Sequence, residues 1–230
     1  AEWKQLFSGV FRMARERASV LPEGERAKTL DSVAKVYAGC IERRLDRSAG
    51  LVAFGGGVVG DIAGFAAATY LRGIRVAQVH TTLLAQVDSA IGGKTGVNLK
   101  AGKNLIGSFY SPDLVVCDPL VLSSLPAREF RAGLYEVVKY GVISSARLFK
   151  NVQQNLTAVL KRDPDVLTTI VASCCRIKAD VVMADEREVG PRRTLNFGHT
   201  IGHALEAITA YRRFRHGEAI GYGMLAAANL

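Results

Sequence analysis

The chain has 230 residues, 49% hydrophobic and 22% charged, with a net charge of +9. That composition suits one large domain or two modest ones with real cores, and excludes a disordered or fibrous protein. No apolar run approaches the roughly 18 uncharged residues of a membrane span, and the charged start A-E-W-K-Q-L-F lacks the apolar stretch of a secretory signal. The basic excess is scattered in short clusters (Arg43–Arg44, Arg192–Arg193, Arg212–Arg215) without interleaved aromatic residues. It therefore points to an anionic small-molecule substrate and away from nucleic acid or a membrane. Cys40, Cys117, Cys174 and Cys175 show no C-x-x-C spacing and read as buried thiols of a reducing, cytoplasmic compartment.

In chain order, Trp3 to Arg17 has helical periodicity and Val20–Leu21 is a short apolar stretch before P-E-G-E. Arg26 to Leu45 reads as a second helix. Leu51–Phe54 is a short strand running into Gly55, Gly56 and Gly57, followed by an apolar helix from about Asp61 to Tyr70. Arg75–His80 and Leu114–Cys117 are further buried strands. This alternation predicts a parallel α/β layer, the N-terminal domain of an α/β fold, over residues 1–124. From Pro126 the pattern is helical: Ala127–Tyr140, Ala146–Leu160, Asp165–Ala184, Gly198–Ala207 and Gly217–Leu230. An all-helical second domain is expected over 125–230, with the boundary at Ser124–Leu125–Pro126. The chain opens within a helical pattern and stops inside the apolar run G-M-L-A-A-A-N-L without a capping signal, as a fragment would.

Three of the four histidines cluster near the C-terminus, in L-N-F-G-H-T-I-G-H-A (Leu195–Ala204) and H-G-E (His216–Glu218). Neutral imidazoles with a carboxylate suit a divalent metal. Helical spacing alone makes His199 and His203, four apart, joint ligands, with His216 and Glu136 completing the set only through the fold. Gly55, Gly57 and Gly60 satisfy G-x-G-x-x-G between a strand and a helix, as a pyrophosphate cradle requires. The acidic residue that usually follows about 20 positions later is missing, however, and a tight turn under a packed helix reads equally well. Lys94, Lys103 and Asn104 place cations and an amide in a glycine-rich loop suited to oxyanions, or are simply solvated. Glu136 and Lys139 are three apart on a helix and could be just a surface ion pair. Lys178 and Arg192 have the same bland reading, and His80 at a strand end reads as structural.

Together these segments resemble the 3-dehydroquinate synthases of the sugar-phosphate cyclases. The matching residues are Pro22–Lys28, Gly55–Phe65, Tyr70–Ile74, Thr81–Asn98, Gly102–Phe109, Glu136–Gly141, Asp185–Glu188, Leu195–Glu206 and His216–Glu218, covering nearly the whole chain in order. The resemblance implies an α/β nucleotide-binding domain followed by a helical one, with the active site in the cleft between them. It implies conversion of 3-deoxy-arabino-heptulosonate 7-phosphate to 3-dehydroquinate and phosphate, a step of the shikimate pathway of aromatic amino acid biosynthesis. NAD would be used catalytically, together with zinc or cobalt, and the substrate's own phosphate would serve as the main proton acceptor.

The same resemblance implies Glu136, His199 and His216 as metal ligands, which moves His203 from the metal to the substrate phosphate. Lys94, Asn104 and Asn196 would join His203 there, with Arg72 reaching across from a second subunit of a homodimer. Lys178 and Arg192 would hold the substrate carboxylate, and Asp88 and Lys139 the hydroxyls at the reacting carbons. The NAD set would be Glu23, Gly24, Glu25, Arg26, Ala27, Lys28, Gly57, Val58, Val59, Gly60, Asp61, Thr81, Thr82, Lys94, Lys103, Val121, Leu122, Ser123 and Ser124. His80 and Tyr135 depart from the family's usual residues without removing a functional group. The family's first strand and a C-terminal lysine lie outside the chain, so weak NAD binding and low activity are expected of it in isolation. A valiolone- or inosose-forming cyclase, a polyol dehydrogenase and an inactive binding module are the alternatives. The Lys178/Arg192 pair favours a substrate that carries a carboxylate.

Overall fold

The computed structural model describes residues 17–230, so the helical pattern at Trp3–Arg17 falls almost wholly outside the described residues. The α/β layer opens with helix α1 (Leu30–Glu42), which Thr29 caps by accepting a bond from the Ser32 amide. A single 3₁₀ turn at Glu25–Ala27 precedes it, so the helix expected over Arg26–Leu45 is shorter at both ends. Strand β1 (Gly50–Gly55) leads into α2 (Gly57–Thr69). That helix starts four residues before the expected Asp61, inside the glycine motif. Strands β2 (Arg75–His80) and β5 (Leu114–Cys117) match expectation. Between them, β3 (Lys94–Leu99) and β4 (Gly102–Phe109) form an antiparallel hairpin where a loop was expected.

The parallel sheet has the order β1-β2-β5. Its register sets Gly55 opposite His80 and His80 opposite Cys117, so all three strands end flush. Ligands of open α/β sheets bind outside such a carboxyl edge. Gln86 ties the edge together, its amide donating to the carbonyls of His80 (3.0 Å) and Asp118 (2.8 Å). His80 is 1% exposed and hydrogen-bonded to Gln78 at 2.6 Å. Burial drives its pKa down to about 4, so it is neutral and structural.

The helical layer comprises α3 (Ala127–Ile143), α4 (Ala146–Gln154), α5 (Leu156–Leu160), α6 (Pro164–Ala184), α7 (His199–Ile208) and α8 (His216–Ala228). The helix expected over Ala146–Leu160 is thus two, broken at Asn155. No strand interrupts this layer among the described residues, and no helix is long and apolar enough to cross a membrane. Asp163 caps α6 by accepting from the Asp165 and Val166 amides, with Pro164 in the first turn. The main core joins the two layers: Leu83, Val87, Val121 and Leu122 pack with Phe130, Val137, Tyr140, Leu167 and Ile170.

Glycines bring α3, α7 and α8 close enough to share a site. A Cβ on Gly217 would lie 1.8 Å from the Ala132 carbonyl oxygen of α3, and one on Gly223 would lie 1.9 Å from the Gly198 oxygen that starts α7. Gly198 itself has φ +78, where a side chain would be strained. Gly217→Ala should therefore force α8 off α3 and cost at least about 1–3 kcal/mol, read as a lower urea midpoint at unchanged slope.

Candidate functional site

Helix α3 buries one face among apolar side chains, and that face also carries Glu136 (0% exposed) and Lys139 (1% exposed). The surface-pair reading of these two is therefore wrong. Burial of both charges follows from the i, i+3 spacing once this face turns inward, and they form an ion pair. Neither Glu136 oxygen accepts a hydrogen bond. His199 at the start of α7 and His216 at the start of α8 stand with their Nε2 atoms 3.9 and 3.8 Å from Glu136 Oε1. Those separations are too long for hydrogen bonds. They match two donors bound to one ion, which at bond lengths of about 2.0–2.2 Å stand roughly 3–4 Å apart.

A buried carboxylate whose Oε1 accepts no hydrogen bond and faces two imidazoles across an ion-sized gap, with Lys139 paired to Oε2, fits a divalent metal. Burial, reinforced by the charges of Lys139 and His216, lowers the His199 pKa to about 3 and keeps its nitrogen available as a ligand. For His216 burial opposes the charged form, but the hydrogen bond to Glu206 and the negative charge of Glu136 outweigh it and raise its pKa.

His199 and His203, the pair suggested by spacing, lie edge-on with ring centroids 5.2 Å apart. His203 is exposed and its ring is 5.8 Å from that of His216. Among the described residues, the groups whose donor atoms converge are Glu136/His199/His216 and His203/Glu206/His216. Sequence reasoning missed Glu206. It is 5% exposed, accepts from His216 Nδ1 at 3.2 Å and lies 4.0 Å from Lys103. Its position three residues after His203 on α7 was the available signal.

Asp88 lies in a π-helical segment, Ala85–Ser89, a conformation frequent at functional sites. Its Oδ1 accepts from Lys178 Nζ at 2.5 Å and from Tyr140 Oη at 3.1 Å. Burial works to raise the Asp88 pKa, but Lys178 and then Lys139 prevail and hold the carboxyl well below the usual range. Lys178 and Arg192 are 6% and 2% exposed, not surface cations. Arg192 donates to the carbonyls of Glu186 (2.5 Å) and Gly92 (3.1 Å). Lys94, at the start of β3, pairs with Glu188, which also accepts from Asn196 at 2.8 Å. Asn104, on the partner strand of the hairpin, accepts from Lys28 at 2.5 Å.

At the carboxyl edge, Gly57 to Asp61 form the first turn of α2. A Cβ on Gly57 would sit 2.9 Å from the Ser89 hydroxyl and one on Gly56 3.2 Å from the Thr82 methyl, so the bare backbone here comes close to both side chains and an added Cβ would press on them. That close approach at a helix N-terminus fits a pyrophosphate. Thr81 and Thr82 follow β2, the Thr81 amide donating to Gly55. The loop Glu23–Lys28 docks through Lys28, which pairs with Asp61, and through Glu25, which accepts from Asn98 at 2.7 Å. It helps line a cavity of about 700 Å³ shared with Lys103 and Tyr211. Val121 and Leu122 carry their 3₁₀ turn, with Ser123 and Ser124, into the main core, and Arg162 holds this turn's carbonyls. Arg72 is not brought near the rest. It sits exposed on a turn with φ +68, past the far end of α2, about 20 Å from the glycine turn.

A parallel sheet with a glycine cradle at its carboxyl edge, facing a helical layer with an N,N,O donor set, is the layout of the sugar-phosphate cyclases. The chain superimposes on 2-epi-5-epi-valiolone synthase from Streptomyces hygroscopicus subsp. jinggangensis 5008, solved with NAD+ and Zn2+, at a TM-score of 0.83. The two are 32% identical over 89% of this chain and 57% of that one. A 2-deoxy-scyllo-inosose synthase, complexed with carbaglucose-6-phosphate, NAD+ and Co2+, gives a TM-score of 0.82 at 37% identity, over 88% and 55%. In sequence, residues 18–132 match the 3-dehydroquinate synthase N-terminal family and residues 133–230 the C-terminal one. The 3-dehydroquinate synthase of Gloeobacter violaceus is 58% identical over 94% of this chain and 60% of its own length. The chain belongs to the 3-dehydroquinate synthase family, and it spans about three fifths of the length of the curated relatives it matches.

Lys178→Ala would leave Asp88 to Tyr140 and Lys139. Because Asp88 is partly exposed, the cost at neutral pH should be about 1–3 kcal/mol, below that of breaking a fully buried pair. The Asp88 pKa is depressed in the fold, so the pair's contribution is complete above the unfolded value near 4 and is lost as pH falls below it. Urea midpoints of parent and variant should converge on the acid side.

Proposed function

We propose that the protein is a 3-dehydroquinate synthase, converting 3-deoxy-arabino-heptulosonate 7-phosphate to 3-dehydroquinate and phosphate in the shikimate pathway. The observation that carries the reading is the buried Glu136 carboxylate, bare of hydrogen bonds and faced by His199 and His216, in a chain 58% identical to a synthase of that name. Its domains divide at 124/125. Residues 1–124 hold NAD, and residues 125–230 hold a zinc or cobalt ion and most of the substrate.

When bound, the ion polarises a substrate hydroxyl and the dinucleotide accepts and later returns a hydride. Glu136, His199 and His216 hold the ion. Gly57–Asp61, Thr81, Thr82, Glu23–Lys28, Lys94, Lys103 and Val121–Ser124 hold the dinucleotide. Asp88 is kept ionised, so it can only accept a hydrogen bond. Tyr140 and Lys178 both engage its Oδ1, leaving Oδ2 for a substrate hydroxyl. Lys139 places its ammonium beside the same centre and stabilises negative charge developing on the neighbouring oxygen. Lys178 and Arg192 clamp the carboxylate. Lys94, Asn104, Asn196 and His203 orient the phosphate, joined by Arg72 from the second subunit of a homodimer, consistent with its remoteness from the rest of the site within one chain. Holding both anionic ends fixes the intervening carbons for elimination and ring closure.

The test is phosphate release from 3-deoxy-arabino-heptulosonate 7-phosphate with added zinc and NAD. Release abolished by EDTA, with no net NADH, is expected. Net NADH would indicate a polyol dehydrogenase. Absence of release from a protein extended to the full length of its relatives would sink the reading.

A further inference from the structure

The two histidines facing Glu136 are oriented in the same way by different means. His199 Nδ1 lies 3.2 Å from the Phe197 carbonyl oxygen, a backbone acceptor in the turn that enters α7. A carbonyl can only accept, so this nitrogen carries the proton and Nε2 keeps the lone pair that faces Glu136. His216 has no such carbonyl. Its Nδ1 meets the Oε2 of Glu206 at 3.2 Å, and Nε2 again faces Glu136 at 3.8 Å. Glu206 is 5% exposed, ten residues away in sequence and on the neighbouring helix, so this contact is built by the fold and not by local chain geometry.

We propose that Glu206 is a positioning residue of the metal centre: its carboxylate accepts the Nδ1 hydrogen of His216, fixing the tautomer and aiming the Nε2 lone pair at the ion shared with Glu136 and His199. The inference rests on the reading of those three residues as metal ligands. Carboxylates that orient a ligand imidazole raise its basicity and remove its rotational freedom, and their loss typically weakens metal binding about 10- to 100-fold. The convergence of His203, Glu206 and His216 is explained by the same bond. A second ion there would compete with Glu206 for His216, whereas the orienting role needs no second ion. It also accounts for the division of labour on α7: His203, exposed and unanchored, remains available to substrate.

Zinc affinity and stoichiometry, measured by competition with a chromophoric chelator, test the proposal. The parent should bind one zinc per chain. Glu206→Ala should bind about 10- to 100-fold more weakly with an unchanged far-ultraviolet circular dichroism spectrum. Glu206→Gln, which keeps an oxygen acceptor, should stay within about threefold of the parent. A folded alanine variant with parental affinity would overturn the proposal, as would a glutamine variant as weak as the alanine one. Two zinc ions per parent chain, with one lost in Glu206→Ala, would make Glu206 a ligand instead. If the variants fail to fold, nitrogen-15 spectra of the parent's four histidines decide: His216 should carry its proton on Nδ1, and the opposite tautomer refutes the role. A parent that binds no zinc would bring down the metal reading itself, an outcome distinct from all of these.

Discussion

A carboxylate with no exposed surface and no hydrogen bond is the constraint around which this molecule is arranged. Taking an ion from water into a protein interior costs several kcal/mol unless opposite charge and polar partners are supplied. Glu136 meets that demand with a buried lysine one turn along its own helix and two imidazoles from two other helices. The arrangement requires α3, α7 and α8 to approach more closely than ordinary side chains permit, which is why glycines stand at their crossings. The packing of the helical layer and the chemistry of its centre are thus one problem. The glycines that look like poor helix residues are the ones that let the donors meet.

The α/β layer solves a separate problem with different means. Its three strands end in register, and every segment leaving that edge carries polar groups: the glycine turn after β1, Thr81–Thr82 after β2, and the π-helical segment with Asp88 beyond them. The two layers meet at Asp88, which comes from the α/β side but is held by Lys178 of α6 and Tyr140 of α3. A misplacement of either layer would leave a charged group without its partner, so the charge pairing enforces the docking as well as serving the chemistry.

Strands Arg75–His80 and Leu114–Cys117 were legible because short apolar runs between turn signals have few other readings. The hairpin was not, since K-T-G-V-N-L and G-K-N-L-I-G-S-F are rich in residues that strands disfavour, and pairing alone makes them strands. Asp61 misled as a helix start because glycines have poor helix propensity, although the first turn of a helix needs little of it. At the site, spacing alone misgrouped the histidines, and only the resemblance pointed to Glu136 with His199 and His216, whose donor atoms converge. The i, i+4 rule joins His199 to His203 because it sees one helix, whereas the donors that converge come from three. Glu206 carried only the weak signal of its place three residues after His203, because its partner His216 lies on another helix.

The charged contacts of the cleft fall into two kinds that differ in how easily they can be exchanged. Glu136–Lys139 and Asp88–Lys178 have side chains at most 29% exposed, and opening either would strand a charge. By contrast Lys94, at the base of the hairpin, is 52% exposed where it meets Glu188. Lys103, in the first turn-side residues of β4, is 33% exposed where it lies 4.0 Å from Glu206 and 3.8 Å over the Tyr211 ring. Lysines this exposed are held by only about 0–1 kcal/mol, and their acids keep other partners, Asn196 for Glu188 and His216 for Glu206, so an anion entering the cleft can take either lysine at little cost. Both lysines belong to one stiff hairpin, and both reach acids on the helical layer. The hairpin therefore docks the two layers through contacts weak enough to be surrendered, while the fixed pairs behind it keep the centre in place.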